Sequence, residues 1–239
     1  MKAMILAAGL GTRLKPLTDR IPKALVEVGG VPMLERVILK LKGEGFDYIV
    51  VNVHHFSEQI IDFLKTRDYG VEIAVSDESE RLLDTGGGIV NARRLLFGRD
   101  HGPVLIHNVD ILSNAELRSL VDKDEMSLLV SDRESSRKLI FDPEMDLRGW
   151  RNLTSGQTRP ENLNPEPEWR DYAFSGIYSM TEQGVEEMKN LMGEGAFPVM
   201  DYFLSERRIE QVKGIVSTNL KIIDIGKPAT LSQASDLNI

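Results

Sequence analysis

The chain has 239 residues and a net charge of −8, with 41% hydrophobic residues, 28% charged residues and no cysteine. This is an ordinary composition for a globular protein, and no apolar run approaches the roughly 18 to 20 residues that span a bilayer, so we exclude a membrane protein. The negative charge excludes nonspecific nucleic-acid binding as the main function, and the lack of cysteine excludes disulfides, thiol nucleophiles and thiolate metal sites.

The first predicted elements are a strand and a glycine loop. Residues 2–8 form an almost unbroken apolar run that stops at Gly9, which is typical of a central strand buried on both faces. Gly9 and Gly11 lack Cβ atoms, so their backbone can take positive φ and bring N–H groups close to an anion. Residues 1–30 carry five basic and two acidic side chains. This local positive charge indicates a site for phosphates.

Two other interpretations of the glycine loop are open. A Gly-x-Gly after a strand also begins the dinucleotide-binding fingerprint, but Leu14 stands where that motif has its third glycine. Pro16 and Pro22 interrupt the helix that the motif needs. The second alternative is a surface loop without a ligand, which does not explain why glycines and cations cluster at the carboxyl end of a strand.

Helices and strands alternate through the rest of the first half. The patterns predict helices over 32–42, 57–66 and 89–97, a loop over 80–88, and strands over 48–53, 71–75 and 103–111. This alternation predicts an α/β fold with a mostly parallel sheet and helices on both faces. Ligands of such sheets bind beyond the carboxyl ends of the strands, where Gly9 and Asp110 both fall.

The second half has a different pattern, with a Ser-, Gly-, Asn- and Pro-rich stretch over 154–171 that predicts a long loop ordering over a substrate. The other predicted elements are helices over 116–122, 182–192 and 199–208, a helix from Pro228, a hairpin over 138–148, and strands over 126–131, 172–178, 209–216 and 220–225.

Asp110 and Asp224 each lie near the end of an apolar strand. Two carboxylates that face one crevice are a candidate Mg²⁺ site, because Mg²⁺ takes one or two carboxylates plus phosphate oxygens and water. An isolated aspartate is more often a helix cap or a turn residue. His54 and His55 follow the strand over 48–53, where they either line the site or serve structural or surface roles.

Residues 6–23 resemble the signature loop of the sugar-1-phosphate nucleotidylyltransferases. The family pattern is Leu-Ala-Ala-Gly-x-Gly-Thr-Arg-Leu-x-Pro-Leu-Thr followed by Pro-Lys, and the chain matches every position. Within the family, the short chain and residues 84–89 most resemble the N-acetylmuramic acid 1-phosphate uridylyltransferase type. The resemblance implies the nucleotide-diphospho-sugar transferase fold, a Rossmann-like three-layer sandwich. It also implies a single domain in which residues 1–112 bind the nucleotide and residues 113–239 bind the sugar.

The resemblance further implies a Mg²⁺-dependent attack of a sugar 1-phosphate, such as N-acetylmuramic acid 1-phosphate, on the α-phosphorus of a nucleoside triphosphate such as UTP, with release of pyrophosphate. It implies that Arg13 orients the leaving phosphates, that Lys23 contacts the reacting phosphoryl group, and that Asp110 is catalytic. The implied metal ligands are Asp110 and Asp224, the latter within an Asp-x-Gly-x-Pro pattern. The implied nucleotide-binding residues are Ala7, Ala8, Gly9, Gly11, Thr12, Arg13, Lys23, Thr85, Gly86 and Gly87, and the implied sugar-binding residues are Gly88, Asn108, Ser175 and Gly176.

One segment departs from the family pattern and leaves the sugar open. Many relatives have Glu-Lys-Pro after the hairpin, whereas residues 149–154 read Gly-Trp-Arg-Asn-Leu-Thr. Trp150 either stacks on a sugar face or packs in the core.

Alternative functions are guanylyl transfer to mannose or heptose 1-phosphate, cytidylyl transfer to phosphocholine, and a catalytically silent nucleotide-sugar sensor. The presence of both aspartates with Arg13 and Lys23 argues against a silent protein. We expect a nucleoside triphosphate and a sugar 1-phosphate as partners, no nucleic acid and no membrane, and a monomer or homodimer. The absence of a signal-peptide pattern after Lys2 predicts a cytoplasmic protein.

Overall fold

The computed structural model describes residues 1–217, 219–226 and 228–235. In chain order its elements are β1 (Lys2–Leu6), β2 (Glu27–Val28), β3 (Val31–Pro32), α1 (Met33–Gly43), β4 (Tyr48–Val53), α2 (Ser57–Lys65), β5 (Glu72–Asp77), α3 (Asp84–Phe97), β6 (Val104–Asn108), β7 (Ile111–Ser113), β8 (Ser127–Ser131), β9 (Arg137–Phe141), β10 (Leu147–Asn152), β11 (Thr158–Arg159), β12 (Arg170–Met180), α4 (Glu182–Met192), α5 (Val199–Phe203), β13 (Lys213–Val216), β14 (Ile222–Asp224) and α6 (Pro228–Ser235).

A ten-stranded mixed sheet organises these elements. Strands β6, β1, β4 and β5 are parallel and lie side by side in that order, and β12 pairs antiparallel to β6. The sheet continues from β12 through β9 and β10 to β11, while β8 pairs with both β12 and β13. A sheet with a parallel core between helices confirms the predicted α/β class.

Alternation of side chains along β1 fills two separate cores. Met4 and Leu6 pack on the face that α3, α4 and α5 cover, whereas Ala3 and Ile5 pack on the face that α1 and α2 cover. Successive residues of a strand point to opposite faces, so a central strand needs apolar residues at every position. This is why the unbroken apolar run became the middle of the sheet.

Strand register brings the polar ends of three strands together. Leu6 of β1 lies beside Asn52 of β4 on one side and Asn108 of β6 on the other. Strand β7 follows β6 directly and pairs antiparallel with β14 in a separate two-stranded sheet, in which Asp224 is paired with Ile111. The Ile225 N–H donates to the main-chain oxygen of Asp110 at 2.8 Å, which places the two aspartates next to each other.

Several elements have the predicted bounds. Strand β4 and helix α4 match residue for residue, α1 is shifted by one residue, and α6 begins at Pro228 as predicted. The predicted hairpin is formed by β9 and β10, and the predicted loop over 154–171 contains the short strand β11. Lys227 of the Asp-x-Gly-x-Pro pattern lies outside the described residues.

Other predicted elements are wrong in extent. The helix predicted over 116–122 is a single 3₁₀ turn at Arg118–Leu120, where the Glu44 carboxylate accepts the N–H groups of Leu117 and Arg118. Helix α5 ends at Phe203 instead of 208, and the strand predicted over 209–216 is confined to Lys213–Val216. Helix α3 begins five residues earlier than predicted, at Asp84. In the described chain no helix is long and apolar enough to cross a membrane.

Candidate active site

A cavity of about 290 Å³ opens at the carboxyl ends of β1, β4 and β6. We call it the strand-end cavity, and it is lined by Leu6, Ala8, Gly9, Lys23, Asn52, Leu82, Asp84, Thr85, Asn108, Val109 and Asp110. Six of these residues are predicted site residues: Ala8, Gly9, Lys23, Thr85, Asn108 and Asp110. The fold therefore brings residues from distant parts of the sequence to one opening.

An ion pair joins the glycine loop to the end of β6. The ammonium of Lys23 pairs with the carboxylate of Asp110, and both side chains are largely buried, with 10% and 18% of their surface exposed. Lys23 begins a 3₁₀ turn directly after Pro22, so its side chain is directed back toward the sheet. A buried ammonium needs a partner of opposite charge, and Asp110 supplies it.

Asp224 adds a second carboxylate beside this pair. Partial burial of its carboxyl raises the pKa of Asp224, and the negative charge of Asp110 raises it further, although the residue keeps exposed surface. The cations of Lys23, Arg13 and Arg133 act in the opposite direction. The site thus concentrates two carboxylates and three cations within electrostatic reach of one another.

Gly226 allows Arg13 to approach Asp224. A methyl group built at Gly226 would lie 2.7 Å from a terminal nitrogen of Arg13 and 2.8 Å from Oδ1 of Asp224. Any larger residue at this position would have to displace one of them. The exposed Arg13 side chain therefore lies against the second aspartate, at the rim of the site.

The two aspartates fit the donor set of Mg²⁺. Among the described residues there is no group of three or more His, Cys, Asp and Glu side chains that could hold a metal ion. A structural zinc site needs four protein ligands, whereas Mg²⁺ is held by one or two carboxylates and completes its shell with phosphate oxygens and water. The main-chain hydrogen bond from Ile225 to Asp110 brings Asp224, the residue before Ile225, to the same end of the site as Asp110.

The two loop glycines have different roles. Gly11 takes φ 66°, and its main-chain oxygen accepts the Thr18 hydroxyl at 2.8 Å. Gly9 does not take positive φ, so that prediction is wrong for Gly9 and correct for Gly11. A methyl group at Gly9 would meet no atom within 4 Å, because Gly9 borders the open cavity.

Two buried residues beneath the loop were missed by sequence reasoning. Oδ1 of Asn52 accepts the Ala7 N–H at 2.7 Å, and Nδ2 of Asn52 donates to Oε1 of Glu78 at 2.9 Å. The Ala7 N–H is therefore engaged by the protein, and the role of Ala7 in binding the nucleotide stays a prediction. Asn52 could have been noticed as an amide side chain inside an otherwise apolar strand. Glu78 follows the end of a strand, and nothing in the sequence around it marks it as part of a site.

Residues 85–88 pack within the protein, and their predicted role is corrected in part. The N–H groups of Gly86 and Gly87 donate to the main-chain oxygen of Phe197 at 2.9 and 3.3 Å. These amides therefore do not face a ligand, and the missing side chains let α3 pack closely against the segment around Phe197. Gly88 lies equally deep, since a methyl there would be 2.8 Å from Oε1 of Glu78. Thr85 lines the strand-end cavity, and its hydroxyl oxygen accepts the Val199 N–H.

The predicted sugar-binding residues of β12 form a wall behind the cavity. Ser175 is 1% exposed, and its hydroxyl oxygen accepts the Ile177 N–H at 3.1 Å, so its side chain is engaged within β12. Gly176 takes φ 80°, and a methyl there would lie 2.8 Å from Nδ2 of Asn108. Asn108 itself lines the cavity.

The remaining candidates lie at the periphery. Thr12 is exposed on the loop. Nδ1 of His54 donates to the main-chain oxygen of Glu78 at 2.6 Å, and the ring of His55 stacks on Phe56 with centroids 4.0 Å apart. Both histidines thus have structural contacts. Trp150 is half-buried in a second cavity, of about 550 Å³.

Comparison with known proteins places these features in context. A family model described as "Nucleotidyl transferase" matches residues 2–128, which include the glycine loop, Lys23 and Asp110. The N-acetylmuramate alpha-1-phosphate uridylyltransferase of Caulobacter vibrioides is 43% identical over 111 residues, 45% of each chain. The enzyme of the same name from Neisseria meningitidis is 45% identical over 117 residues, 48% of this chain and 49% of that protein. The chain thus spans about half the length of these relatives.

A further sequence relative matches about half of the chain, and two solved structures match nearly all of it. The mannose-1-phosphate guanyltransferase of Schizosaccharomyces pombe is 40% identical over 114 residues, 47% of this chain and 31% of that protein. Two solved structures have TM-scores of 0.74: HddC from Yersinia pseudotuberculosis complexed with GMP-PN, 22% identical with 98% of both chains covered, and the inositol-1-phosphate CTP transferase from T. maritima, 16% identical with 98% and 96% covered. At these identities the structures show a shared fold.

Proposed function

This chain belongs to the nucleotidyl transferase family, and on that premise we propose that it transfers a nucleotidyl group from a nucleoside triphosphate to a sugar 1-phosphate, with release of pyrophosphate. The observation that carries the proposal is the meeting of four charged residues at one edge of the strand-end cavity. Lys23 pairs with Asp110, and Arg13 lies beside Asp224. Such a site can hold and neutralise several phosphates at once.

The reaction forms a bond between an oxygen of the sugar phosphate and the α-phosphorus, and it breaks the bond from that phosphorus to the β-phosphate. The attacking oxygen is already an anion at neutral pH, so the reaction needs no general base. The protein has to bring two polyanions together in line and to stabilise charge on the transferring group. Because no general base is needed, the scheme assigns no catalytic role to His54 or His55, whose contacts are structural.

Each basic residue has a distinct part in this scheme. The guanidinium of Arg13 can bind two phosphate oxygens in one plane and would orient the leaving pyrophosphate. The ammonium of Lys23 would turn from Asp110 to an oxygen of the reacting phosphoryl group, since Lys23 and Asp110 both line the strand-end cavity. A compact point charge suits that role because it can follow the oxygen as the transition state forms.

Asp110 and Asp224 would hold Mg²⁺, which when bound supplies positive charge to the phosphate oxygens. Before that, the ion pair with Lys23 keeps the carboxylate of Asp110 neutralised. The backbone bond from Ile225 to Asp110 holds the second aspartate in place beside the first.

For the substrates we propose uridylyl transfer to an acidic amino-sugar 1-phosphate, supported by the names of the two uridylyltransferases with 43% and 45% identity. Guanylyl transfer to mannose 1-phosphate is the second candidate, supported by the 40% identity to the guanyltransferase.

The test is a pyrophosphate-release assay with Mg²⁺ that crosses four nucleoside triphosphates with a panel of sugar 1-phosphates. We expect release with UTP and N-acetylmuramic acid 1-phosphate, and abolition of that release by EDTA. Release with GTP and mannose 1-phosphate instead would select the second candidate. Absence of release from folded protein with every combination would refute the activity.

A further inference from the structure

The second cavity, of about 550 Å³, is rich in arginine, and we call it the arginine cavity. Arg133, Arg137 and Arg159 line it together with Trp150 and Phe174. Its lining contains no aspartate or glutamate among the residues that the structure describes. In a chain with a net charge of −8, three guanidinium groups around one cavity reverse the local charge.

Strand register explains how an aromatic surface and the cations come together. Trp150 of β10 lies directly opposite Leu139 of β9 and Arg159 of β11. Residues that are directly opposite one another share a face of the sheet, and Arg137 joins that face because it lies two residues from Leu139. The guanidinium carbon of Arg159 is 6.0 Å from the centre of the Trp150 ring.

The arginines retain unused hydrogen-bonding capacity. Arg133 donates to the main-chain oxygen of Phe174 at 2.8 Å, but its Nε is buried and has no hydrogen-bond partner among the described residues. Of the three arginines, only Arg159 has a carboxylate within ion-pair distance in the described part of the chain, that of Asp201 at 2.5 Å. Buried donors without partners are costly, so a ligand that accepts hydrogen bonds would be favoured here.

Strand β12 connects the arginine cavity with the strand-end cavity. Phe174 lines the arginine cavity, and its main-chain oxygen holds Arg133. Two residues further on, Gly176 packs against Asn108, which lines the strand-end cavity. A ligand that extends from the phosphate site past Asn108 therefore approaches the arginines.

Building on the proposed function, we propose that the arginine cavity binds an acidic group, a carboxylate or a second phosphate, carried by the sugar of the acceptor. Guanidinium groups bind both anions in a planar, bidentate geometry, and Trp150 offers an apolar face to the sugar ring. A neutral sugar would leave the guanidinium groups without their partner, so the cavity selects acidic acceptors.

The test uses two pairs of acceptors that differ in the acidic group. N-acetylmuramic acid 1-phosphate carries a lactyl carboxylate that N-acetylglucosamine 1-phosphate lacks, and mannose 1,6-bisphosphate carries a phosphate that mannose 1-phosphate lacks. We expect the wild type to have the higher kcat/KM for the acidic member of one pair, which identifies the anion. Equal or lower kcat/KM for the acidic member in both pairs would overturn the proposal.

Two variants probe the arginines, and a third serves as a control. We expect Arg137→Gln and Arg159→Gln each to reduce the acidic-to-neutral ratio of kcat/KM about tenfold, the effect of one charge-assisted hydrogen bond. Arg137→Lys should restore part of the ratio, because it keeps the charge. Arg118→Gln, at an exposed arginine 4.0 Å from Asp122, should leave the ratio unchanged. An equal loss for acidic and neutral acceptors would contradict the proposal.

Failure of the proposed function would be recognised separately. If the wild type releases no pyrophosphate with any acceptor, the function is refuted, and calorimetric binding of the same four compounds then tests the cavity. Tighter binding of an acidic compound that Arg137→Gln weakens about tenfold would support the cavity assignment. Equal binding of acidic and neutral compounds would overturn it.

Discussion

The ammonium of Lys23 and the carboxylate of Asp110 form an ion pair between the glycine loop and the end of β6. Both groups are largely buried, so water cannot replace the lost partner of either charge when the other residue is removed. Asp224 lies close enough to Asp110 to have its pKa raised by it. Loss of Lys23 would therefore leave two carboxylates in mutual repulsion.

We predict that Lys23 and Asp110 are coupled in stability. Lys23→Ala should lower the free energy of unfolding more than the double variant Lys23→Ala/Asp110→Asn does, with a coupling energy of about 2 kcal/mol. Urea unfolding of the four proteins of this double-mutant cycle measures it. The exposed pair of Lys15 and Asp19, at 3.2 Å, is the matched control, for which about 0.5 kcal/mol or less is expected. Additive effects at the buried pair would contradict the prediction.

The two loop glycines provide a second prediction that separates folding from binding. Gly11→Ala should lower the free energy of unfolding by about 1 to 2 kcal/mol, because Gly11 has φ 66° and the new methyl would lie 2.7 Å from Cγ2 of Thr18. Gly9→Ala should change it by less than about 0.5 kcal/mol, since the methyl points into open space.

The methyl group of the Gly9→Ala variant would occupy space in the strand-end cavity, which Ala8 and Lys23 also line. We therefore expect Gly9→Ala to raise the KM for the nucleoside triphosphate while the urea midpoint stays at the wild-type value. A lower urea midpoint for Gly9→Ala than for Gly11→Ala would show that the roles of the two glycines have been assigned the wrong way round.

The pattern of hydrophobic residues along the sequence predicted those helices and strands whose burial follows that pattern. Strand β4 could be predicted because it is a short, mostly apolar run that is buried at all six positions, and helix α4 because its buried residues recur every three to four positions. Helix α3 could not be predicted from its first residues, because glycine disfavours a helix by about 1 kcal/mol per residue. Tertiary contacts of Gly86 and Gly87 with the segment at Phe197 outweigh that preference.

The candidate site was predictable where a motif specified it and not where tertiary contacts did. Residues 6–23 and the two aspartates were found because each follows a strand in a recognisable pattern. Asn52 and Glu78 were missed because their function is to support Ala7 through a chain of hydrogen bonds. The arginine cavity was missed because Arg159 reaches Arg137 only through the pairing of β9, β10 and β11, and Arg133 is placed beside them by its hydrogen bond to Phe174 of β12.

Glu78 gives a prediction about pH. It is 3% exposed, Oε2 has no hydrogen-bond partner among the described residues, and burial raises the pKa of its carboxyl above the usual 4.5. Between pH 4.5 and that raised value the folded protein holds more protons than the unfolded chain, so the contribution of Glu78 to stability declines as pH rises through this window.

We expect Glu78→Gln to remove this decline. Glutamine keeps the oxygen that accepts the Asn52 amide, and it cannot ionise. The difference in unfolding free energy between variant and wild type should therefore shift in favour of the variant from pH 4.5 to pH 8, as measured by urea unfolding at each pH. Glu80→Gln, at an exposed neighbouring position, is the matched control, because it removes a carboxylate and leaves Glu78 in place. If the difference in unfolding free energy between Glu78→Gln and the wild type is the same at every pH, the folded protein does not hold Glu78 protonated above pH 4.5.

His107 should affect stability in the opposite direction. It is 2% exposed, and burial lowers its pKa to about 4 from the ordinary 6.5. The folded protein keeps this ring neutral while the unfolded chain protonates its histidine, so the stabilisation is complete above pH 6.5 and is lost as pH falls from 6.5 toward 4. A shift of this size corresponds to at most about 3 kcal/mol.

His107→Gln should accordingly lose less stability than the wild type between pH 6.5 and pH 4, even if it is less stable at pH 7 because the ring leaves a cavity. Urea unfolding of both proteins at half-unit pH steps measures the two slopes. His101→Gln is the control: it removes a histidine whose side chain is 81% exposed and contacts Glu182 at 2.6 Å, and it leaves the buried ring of His107 in place. Only a group that takes up a proton on unfolding makes the free energy of unfolding fall as the pH falls. Parallel pH profiles for the wild type and His107→Gln would therefore mean that the folded protein does not hold the His107 ring neutral.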